Sequence, residues 1–522
     1  MKAVIVEDRR AGATGRTTQA IQGQAARFSQ SAVLPVTVCW LGMGSLSPLA
    51  ARAGGAGGHS SSHSSSSHSS SSHSSSSHSS SSHSSSSHSS SGGGSASGLG
   101  VFISLVVMIL VVILVVRLFR NNLARQSGAS GVGAAMPPDV ETGGALAASL
   151  AAIPDFQLEA FREQVVGAFQ KIQAAWSAQS LAEVRPFISD GVYQHFSTQF
   201  RMMSLLQQRN LLDNVCIMAI EPVAATQDGE YDVLQVRIEA SMDDAFVCGL
   251  DHSLDERGDG SFVEYWSFIR KRERGAGGDF AQKQGCPSCG APLPADMGEL
   301  CRCPYCQVLV NSGAFDWILA EITQEDDYGR DSDYAGRVSA QLPEVLADFT
   351  REAPDLAVQV IEDKAGNALM QIMTALATRN PAVVRRFVSD AALEAVSALI
   401  PQEPIVFNRL YLNETVLLDA ARVDGRHSLS VGLSVTMQRV RLAPGGGLSR
   451  LDASEVREGY LMVLERDAGA VPNKGALYQH QCPSCSGAVG DTLDVNCQYC
   501  GVPLNSPRNE WIVTKFQHDG AI

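Results

Sequence analysis

Eight cysteines fall into two copies of one spacing, and this pattern restricts the fold of the chain more than any other feature. The copies are Cys286, Cys289, Cys303 and Cys306, and then Cys482, Cys485, Cys497 and Cys500. A Cys-x-x-Cys turn places two thiolates on one side of a loop, and two such turns complete the tetrahedron of a closed structural zinc site. The pattern predicts two zinc ribbons, 286–306 and 482–500, that hold two structural zinc ions.

Iron ligation and disulfide bonds are two other possible uses of these cysteines. Four thiolates also hold iron, because Cys-Pro-x-Cys turns occur in iron sites, and disulfides would require an oxidising compartment. Four thiolates fill a tetrahedral metal site and leave no coordination position for a substrate. Cys301 falls outside the pair spacing. We therefore expect structural rather than catalytic metal ions.

The region before residue 120 has the composition of an exported and membrane-anchored segment. Residues 99–119 are almost wholly apolar and predict a transmembrane helix. Arg117, Arg120 and Arg125 follow it, whereas residues 54–116 contain no Lys or Arg, so the positive-inside rule places the later residues in the cytoplasm. We expect a single-pass protein of a bacterial-type inner (plasma) membrane, with residues 120–153 as a linker.

Residues 1–98 contain two further segments. Residues 1–53 carry an arginine-rich leader and an apolar stretch that ends in a small-x-small pattern, which indicates a signal peptide or a first membrane segment. Residues 54–98 are a Ser/His/Gly-rich tract with seven regularly spaced histidines. Such a tract has no apolar surface to bury, so we expect a disordered external spacer, with transition-metal binding as the alternative.

This topology places the paired cysteines in reducing cytosol, which favours metal ligation over disulfides. It also concentrates negative charge in the cytoplasmic part: from residue 118 onward there are 33 Lys and Arg against 52 Asp and Glu. Nucleic-acid binding requires a basic surface, so the charge argues against that function even though zinc ribbons often serve it.

The cytoplasmic part is an internal repeat. With a shift of 200 residues, residues 172–197 match 372–397 at nine of 26 positions, among them Asp190 with Asp390. After the ribbons the shift becomes 194 and aligns Trp317 with Trp511. We expect a first domain over 154–327 and a second, divergent copy over 345–518, each with its own ribbon.

Each copy has helical periodicity first and strand patterns later, which predicts an α+β fold with helices on an antiparallel sheet. A helix is expected after Pro154, and Asp190 is a plausible N-cap of the next one. The expected strands are 216–225, 231–240 and 263–271, then 315–322, with turns at 228–229 and 258–260; the second copy has 416–423, 428–442, 459–466 and 510–516. Each ribbon then lies in the loop of the last hairpin.

The run from Phe161 to Phe200, the segment 181–190 and the strand Glu264-Tyr-Trp-Ser-Phe-Ile-Arg270 resemble the Tim-forty-four-like domain. That family is named after the peripheral tether of the mitochondrial import motor and has bacterial membrane relatives. The resemblance covers 154–327 well and 345–518 weakly. It implies two tandem cone-shaped domains of the nuclear transport factor two-like kind, with an apolar pocket between helices and sheet. Nothing in residues 1–153 resembles the chaperone-binding segment of the mitochondrial member.

We therefore predict a membrane-anchored cytoplasmic scaffold or adaptor that binds protein or lipid-derived partners and is not an enzyme. The expected partners are the lipid bilayer and membrane or cytoplasmic proteins, with no nucleic acid, and the duplication allows a homo-oligomer. The alternative is an enzyme or small-ligand binder that uses the apolar pocket, for which His195, Asp190 and Asp213 are the candidate acid–base groups. No nucleophile elbow, phosphate loop or paired-carboxylate motif accompanies them.

Overall fold

The computed structural model describes residues 143–273, 278–282, 285–298, 301–329, 332–443, 445, 447–470, 482, 484–485, 487, 494–508 and 510–521. The expected leader, Ser/His tract, transmembrane helix and most of the linker lie outside the described residues. Among the helices in the described part of the chain, none combines the length and the hydropathy that a membrane crossing requires.

The first module consists of three helices followed by a four-stranded sheet. Its helices are α1 (Gly143–Ala152), α2 (Leu158–Ala178) and α3 (Asp190–Leu205), and its strands are β1 (Gln208–Asp228), β2 (Tyr231–Cys248), β3 (Glu256–Lys271) and β4 (Ile318–Gln324). The strands are antiparallel in the order β1-β2-β3-β4. This is the α+β architecture that the order of the sequence patterns predicts.

The second module has the same order of elements. Its helices are α4 (Leu342–Glu352), α5 (Val358–Thr378) and α6 (Asp390–Ala398), and its strands are β5 (Ile405–Val423), β6 (Arg426–Leu442), β7 (Leu448–Arg450), β8 (Val456–Asp467) and β9 (Ile512–Ala521). The main path of the sheet is β5-β6-β8-β9, and the short β7 pairs with β6. The elements α1 to β4 form the first module, and the elements α4 to β9 form the second module.

Small irregularities recur at equivalent places in the two modules. The pairing of β1 with β2 shifts after positions 213, 217 and 222, and the pairing of β5 with β6 shifts after 408, 412 and 417, a constant separation of 195 residues. The long helices α2 and α5 both end in a left-handed residue, Gln179 and Arg379. β-Bulges and left-handed caps are specific local geometries, so the two modules share details as well as a general outline.

Three local predictions were wrong. The N-cap of α3 is Ser189, whose hydroxyl accepts a hydrogen bond from the backbone N–H of Val192, while Asp190 is the first helical residue. The expected turn at 258–260 lies inside β3, where Gly258, Asp259 and Gly260 pair with β2. The strands β1 to β3 and β5 are also longer than predicted; in the β1–β2 and β5–β6 pairs, bulges interrupt the inside–outside alternation without ending the pairing.

The two modules share hydrophobic clusters. Met202 of α3, its C-cap residue Leu206 and Cys248 of β2 belong to the cluster that fills the second module, and Tyr411 of β5 belongs to the cluster of the first. Within the first module, one face of α2 buries Phe161, Phe169 and other apolar residues against the sheet. Since burial of each large side chain contributes about 1.5–3 kcal/mol, the contact between the modules is part of the fold and more than a surface touch.

Candidate functional site

The first cysteine tetrad has the geometry of a metal centre. The Sγ atoms of Cys286 and Cys306 are 3.6 Å apart, and those of Cys289 and Cys303 are 3.8 Å apart, with all four within 4.8 Å of one another. Sulfur atoms bound about 2.3 Å from one zinc ion in a tetrahedron are separated by about 3.8 Å. The four thiols therefore already stand at the separations that a bound ion would impose.

The second tetrad repeats this arrangement. The Sγ atoms of Cys482 and Cys500 are 3.5 Å apart, those of Cys485 and Cys497 are 3.7 Å apart, and all four again lie within 4.8 Å. Among the described residues these two tetrads are the only groups of three or more potential ligands that converge in this way. Both tetrads can hold a metal ion, and their thiolate donors fit zinc.

Backbone turns shape both ligand pairs of the first tetrad. Gly290 N–H donates to the carbonyl of Cys286 at 2.8 Å, and Gln307 N–H donates to that of Cys303 at 3.0 Å. Gly290 and Gln307 both have positive φ, as such tight turns require. Backbone N–H groups of Cys306 and Tyr305 lower the pKa of the Cys303 thiol to about 7. The turn at Cys303 thus favours the thiolate, the form that binds a metal ion, whereas burial raises the pKa of the Cys286 thiol.

The first tetrad lies between β3 and β4, as predicted, and polar contacts attach its loop to α3. The buried Arg185 pairs with Asp190 at 2.5 Å and donates from Nε to the carbonyl of Gly298 at 2.8 Å. Asn311 donates to the carbonyl of Ile188 at 3.0 Å and to Asp190 at 2.9 Å. Cys301 lies outside the tetrad and donates to the carbonyl of Arg185. The loop is therefore fixed to the start of a core helix.

The three candidate acid–base residues do not form one site. Asp190 is engaged by Arg185 and Asn311, and Asp213 is an exposed residue of β1. His195 is buried at the junction of the modules, where its Nε2 accepts a hydrogen bond from the backbone N–H of Leu412 at 3.3 Å. Burial lowers the pKa of His195 to about 4, so the imidazole is neutral at physiological pH. Asp190 and His195 thus hold contacts within the fold, and Asp213 lies apart from both.

The junction between the modules is a polar interface that the sequence patterns do not reveal. Ser189 Oγ and the backbone N–H of Gly191, at the start of α3, both donate to the carboxylate of Asp363 in α5. Asn367 of α5 donates to the carbonyl of Asp190 at 3.1 Å, and Gln199 of α3 donates to that of Leu410 at 2.9 Å. These bonds join residues more than 170 positions apart, which no local pattern can show.

A cavity of about 330 Å³ lies beside this junction, between the first sheet and α5. Its described lining includes the carboxylates of Asp228, Glu321, Asp327, Glu362 and Glu414. Burial raises the pKa of Glu362 well above its usual range, and the neighbouring Glu321 raises it further. Burial likewise raises the pKa of Glu414 to about 7. The cavity thus combines five carboxyl groups with an apolar lining.

Residues 142–278 match the family model described as Tim44-like domain. The matched range contains the three helices and first three strands of the first module and ends before the first tetrad. The match supports the family resemblance for this module. Tim44-like domains form a non-enzymatic binding and tether family, which is consistent with a membrane-associated adaptor or scaffold in general terms.

The other comparisons add little. A solved structure described as an Ntf2 like protein involved in plasmid conjugation aligns with 9% sequence identity over 67% of this chain and 96% of its own, with a TM-score of 0.16. A TM-score of this size supports no inference about this chain. The search of curated proteins gave no significant match.

Proposed function

We propose that this protein is a membrane-anchored scaffold whose two modules form a single cytoplasmic platform for protein or lipid-derived partners. The observation that carries the proposal is the Tim44-like match over the helices and sheet of the first module. The recurrent bulges and caps support a duplicated unit over 154–327 and 345–518. The shared hydrophobic clusters favour a platform in which the modules act together.

The proposal includes two structural zinc ions, one in each tetrad. A metal ion bound at Cys286, Cys289, Cys303 and Cys306 would close the long connection between β3 and β4, and the second tetrad would do the same between β8 and β9. The free energy of metal binding would offset the entropy lost in ordering such a loop, and the bound ion would hold the two strands in register. In this role the ions stabilise the platform and take no part in chemistry.

The anchoring part of the proposal rests on the sequence. Residues 99–119 would cross the inner membrane once, with the Ser/His tract outside and both modules in the cytoplasm, and residues 1–53 would direct export. The cytoplasmic side is reducing, which suits eight free thiols that bind metal. The strongly acidic charge after residue 117 argues for protein partners rather than nucleic acid.

The first module offers a docking surface for such a partner on its edge strand. Leu211, Val215 and Met218 of β1 are 51%, 38% and 43% exposed. The corresponding stretch of β5, 195 residues later, is covered in part by helix α3, whose Gln199 bonds to the buried Leu410. Since a helix covers this stretch of β5, we propose that an amphipathic helix of a partner protein binds the corresponding exposed stretch of β1.

Crosslinking in native membranes, followed by mass spectrometry, tests the scaffold. We expect the full-length chain to capture a defined partner, and the variant Leu211→Ser with Met218→Ser to lose that partner while it retains its thermal stability. The matched control is Val423→Ser, another exposed apolar position on the second sheet. The proposal would be contradicted if the Leu211→Ser, Met218→Ser variant captured the same partners as the control. It would also be contradicted if a chain that lacks 154–522 captured them. Capture of a second copy alone would assign the surface to self-association instead.

A further inference from the structure

The cavity between the modules combines an acidic part and an apolar part. Its apolar lining comes from Val233, Val338, Leu342, Leu346, Val358 and Leu417. The described residues that line it include five carboxylates but no Lys, Arg or His. Ligand sites are typically apolar pockets of at least about 300 Å³ with a few placed polar groups, and this cavity falls within that range.

Most of the cavity's carboxyl groups have no cationic partner within the described part of the chain. Arg457 is the one described cation at ion-pair distance, and it reaches Asp327 at 2.5 Å and Glu414 at 3.4 Å. Asp228 instead accepts the backbone N–H groups of Val358 and Gln359 at the start of α5, both at 2.9 Å. Burial without a counter-ion disfavours the charged form of a carboxyl group and raises the pKa of Glu362, so a cation in the cavity would favour its ionisation.

Two deeply buried oxygen atoms in this lining lack hydrogen-bond partners. Glu414 is 4% exposed; its Oε1 accepts the backbone N–H of Asp333 at 2.8 Å, whereas its Oε2 has no partner. The adjacent Thr415 is 7% exposed, and its Oγ1 has no partner either. A buried polar group without a partner costs about 1–3 kcal/mol, so these two atoms indicate that a donor group is to be supplied from outside the chain.

The spacing of the carboxylates distinguishes an organic cation from a metal ion. Their oxygen atoms do not converge in the way that the thiols do, because only the two cysteine tetrads gather three or more ligand atoms within 4.8 Å among the described residues. Metal chelation needs such convergence at about 2.0–2.6 Å from one ion. An ammonium group is larger, donates three hydrogen bonds, and can be attached to an aliphatic chain that covers the apolar wall.

We propose that this cavity binds an alkylammonium ion, with the charged group beside Glu362, Glu414 and Thr415 and the hydrocarbon chain against the apolar wall. The three N–H donors would satisfy the two unpartnered oxygen atoms, and the positive charge would favour the ionised form of Glu362. Leu417 N–H already orients Glu362 by donating to its Oε1 at 3.0 Å. The site lies between the modules, so its occupation would also stabilise their contact by mass action.

Calorimetric titration of the purified full-length chain with hexylammonium tests this site. We expect saturable binding of hexylammonium and at least tenfold weaker binding of the isosteric hexanol and hexanoate. The variants Glu362→Gln and Glu414→Gln should each weaken the binding of hexylammonium at least tenfold. The exposed Glu403→Gln is the matched control and should leave it unchanged. Nα-acetyl-lysine amide, as a second probe, tests whether the cavity binds a lysine side chain in addition to a simple alkylammonium ion.

Several outcomes would overturn the proposal. Equal affinity for hexanol would show an ordinary apolar pocket, and undiminished binding by both glutamine variants would place the amine elsewhere. No binding at millimolar hexylammonium would also exclude the site. Thermal melting of each variant without ligand checks that loss of binding does not come from loss of the fold.

Discussion

The backbone N–H of Gly191 lies 3.3 Å from Oδ2 of Asp363 and donates a hydrogen bond to it, so the first turn of one module's helix is held by the middle of the other module's helix. A Cβ at position 191 would stand 2.1 Å from the second carboxylate oxygen of Asp363. Glycine is required here by the close approach of two helices and not by backbone conformation.

We therefore expect Gly191→Ala to destabilise the protein by about 1–3 kcal/mol, because the added methyl group must separate α3 from α5. Thermal melting of the full-length chain measures this effect. The control is Gly144→Ala in α1, where an added Cβ meets nothing within 4 Å. Alanine favours a helix over glycine by about 0.5–1 kcal/mol, so the control should melt slightly higher than the wild type. Equal effects of both changes would argue against the tight junction.

Metal content tests the two tetrads. Elemental analysis of the purified chain should find two zinc ions per chain, and Cys289→Ser or Cys485→Ser should each reduce the number to one. Each loss should also lower the melting temperature, because metal binding contributes to folding where it closes a loop. Cys216→Ser on β1 lies outside both tetrads and should retain two ions. Finding iron in place of zinc would change the identity of the proposed metal. Finding no bound metal would contradict the structural role proposed for the two tetrads.

The buried His195 predicts a loss of stability in acid. Its pKa is about 4 in the folded chain, below the usual value of 6.5, so the unfolded chain takes up the proton first as pH falls. The contribution of the neutral imidazole is fully present above pH 6.5 and declines toward pH 4, by on the order of 3 kcal/mol in total. His195→Gln should flatten this acid limb in melting curves. His252→Gln, at an 82% exposed side chain, should leave it unchanged.

Glu414 predicts the opposite dependence on pH. Burial raises its pKa from 4.5 to about 7, so its contribution to stability is fully present below pH 4.5 and is lost as pH rises through 7. Above pH 7 and without ligand, Glu414→Gln should therefore melt at a higher temperature than the wild type. Its free energy of unfolding should be larger by on the order of 1–3 kcal/mol. The difference should shrink toward pH 4.5. A variant that is less stable at every pH would instead show that the contact with Arg457 dominates.

The features that the sequence predicted correctly are local ones. Cys-x-x-Cys turns set the position of two thiols within a few residues, and both tetrads assemble as their spacing indicated. The helix after Pro154 and the order of helices before strands follow from apolar periodicity, which reports one buried face per element. The Tim44-like resemblance also depends on apolar pattern, and the family match supports it over the first module.

The local sequence patterns gave wrong predictions at two places. At one, two adjacent residues were both suitable as the N-cap, and at the other a turn and a strand were both possible. Ser189 and Asp190 are both good N-cap types, and the tertiary contact of Asp190 with Arg185 leaves the cap to Ser189. The residues 258–260 have turn propensity, yet pairing with β2 keeps them in a strand. Intrinsic preferences of about 1 kcal/mol are overridden when a longer ladder of hydrogen bonds forms.

The sequence by itself determined the architecture of each module and the two cysteine tetrads that could hold a metal ion, because those depend on spacings within one element or one loop. Only the tertiary structure decided how the modules meet. Asp363 and Glu414 look like ordinary helix and strand residues, and their roles arise from partners distant in the chain: Gly191 for the first, Arg457 and the cavity for the second. Burial and charge at such a junction are properties of the assembled fold, since neither is encoded in the neighbours of one residue.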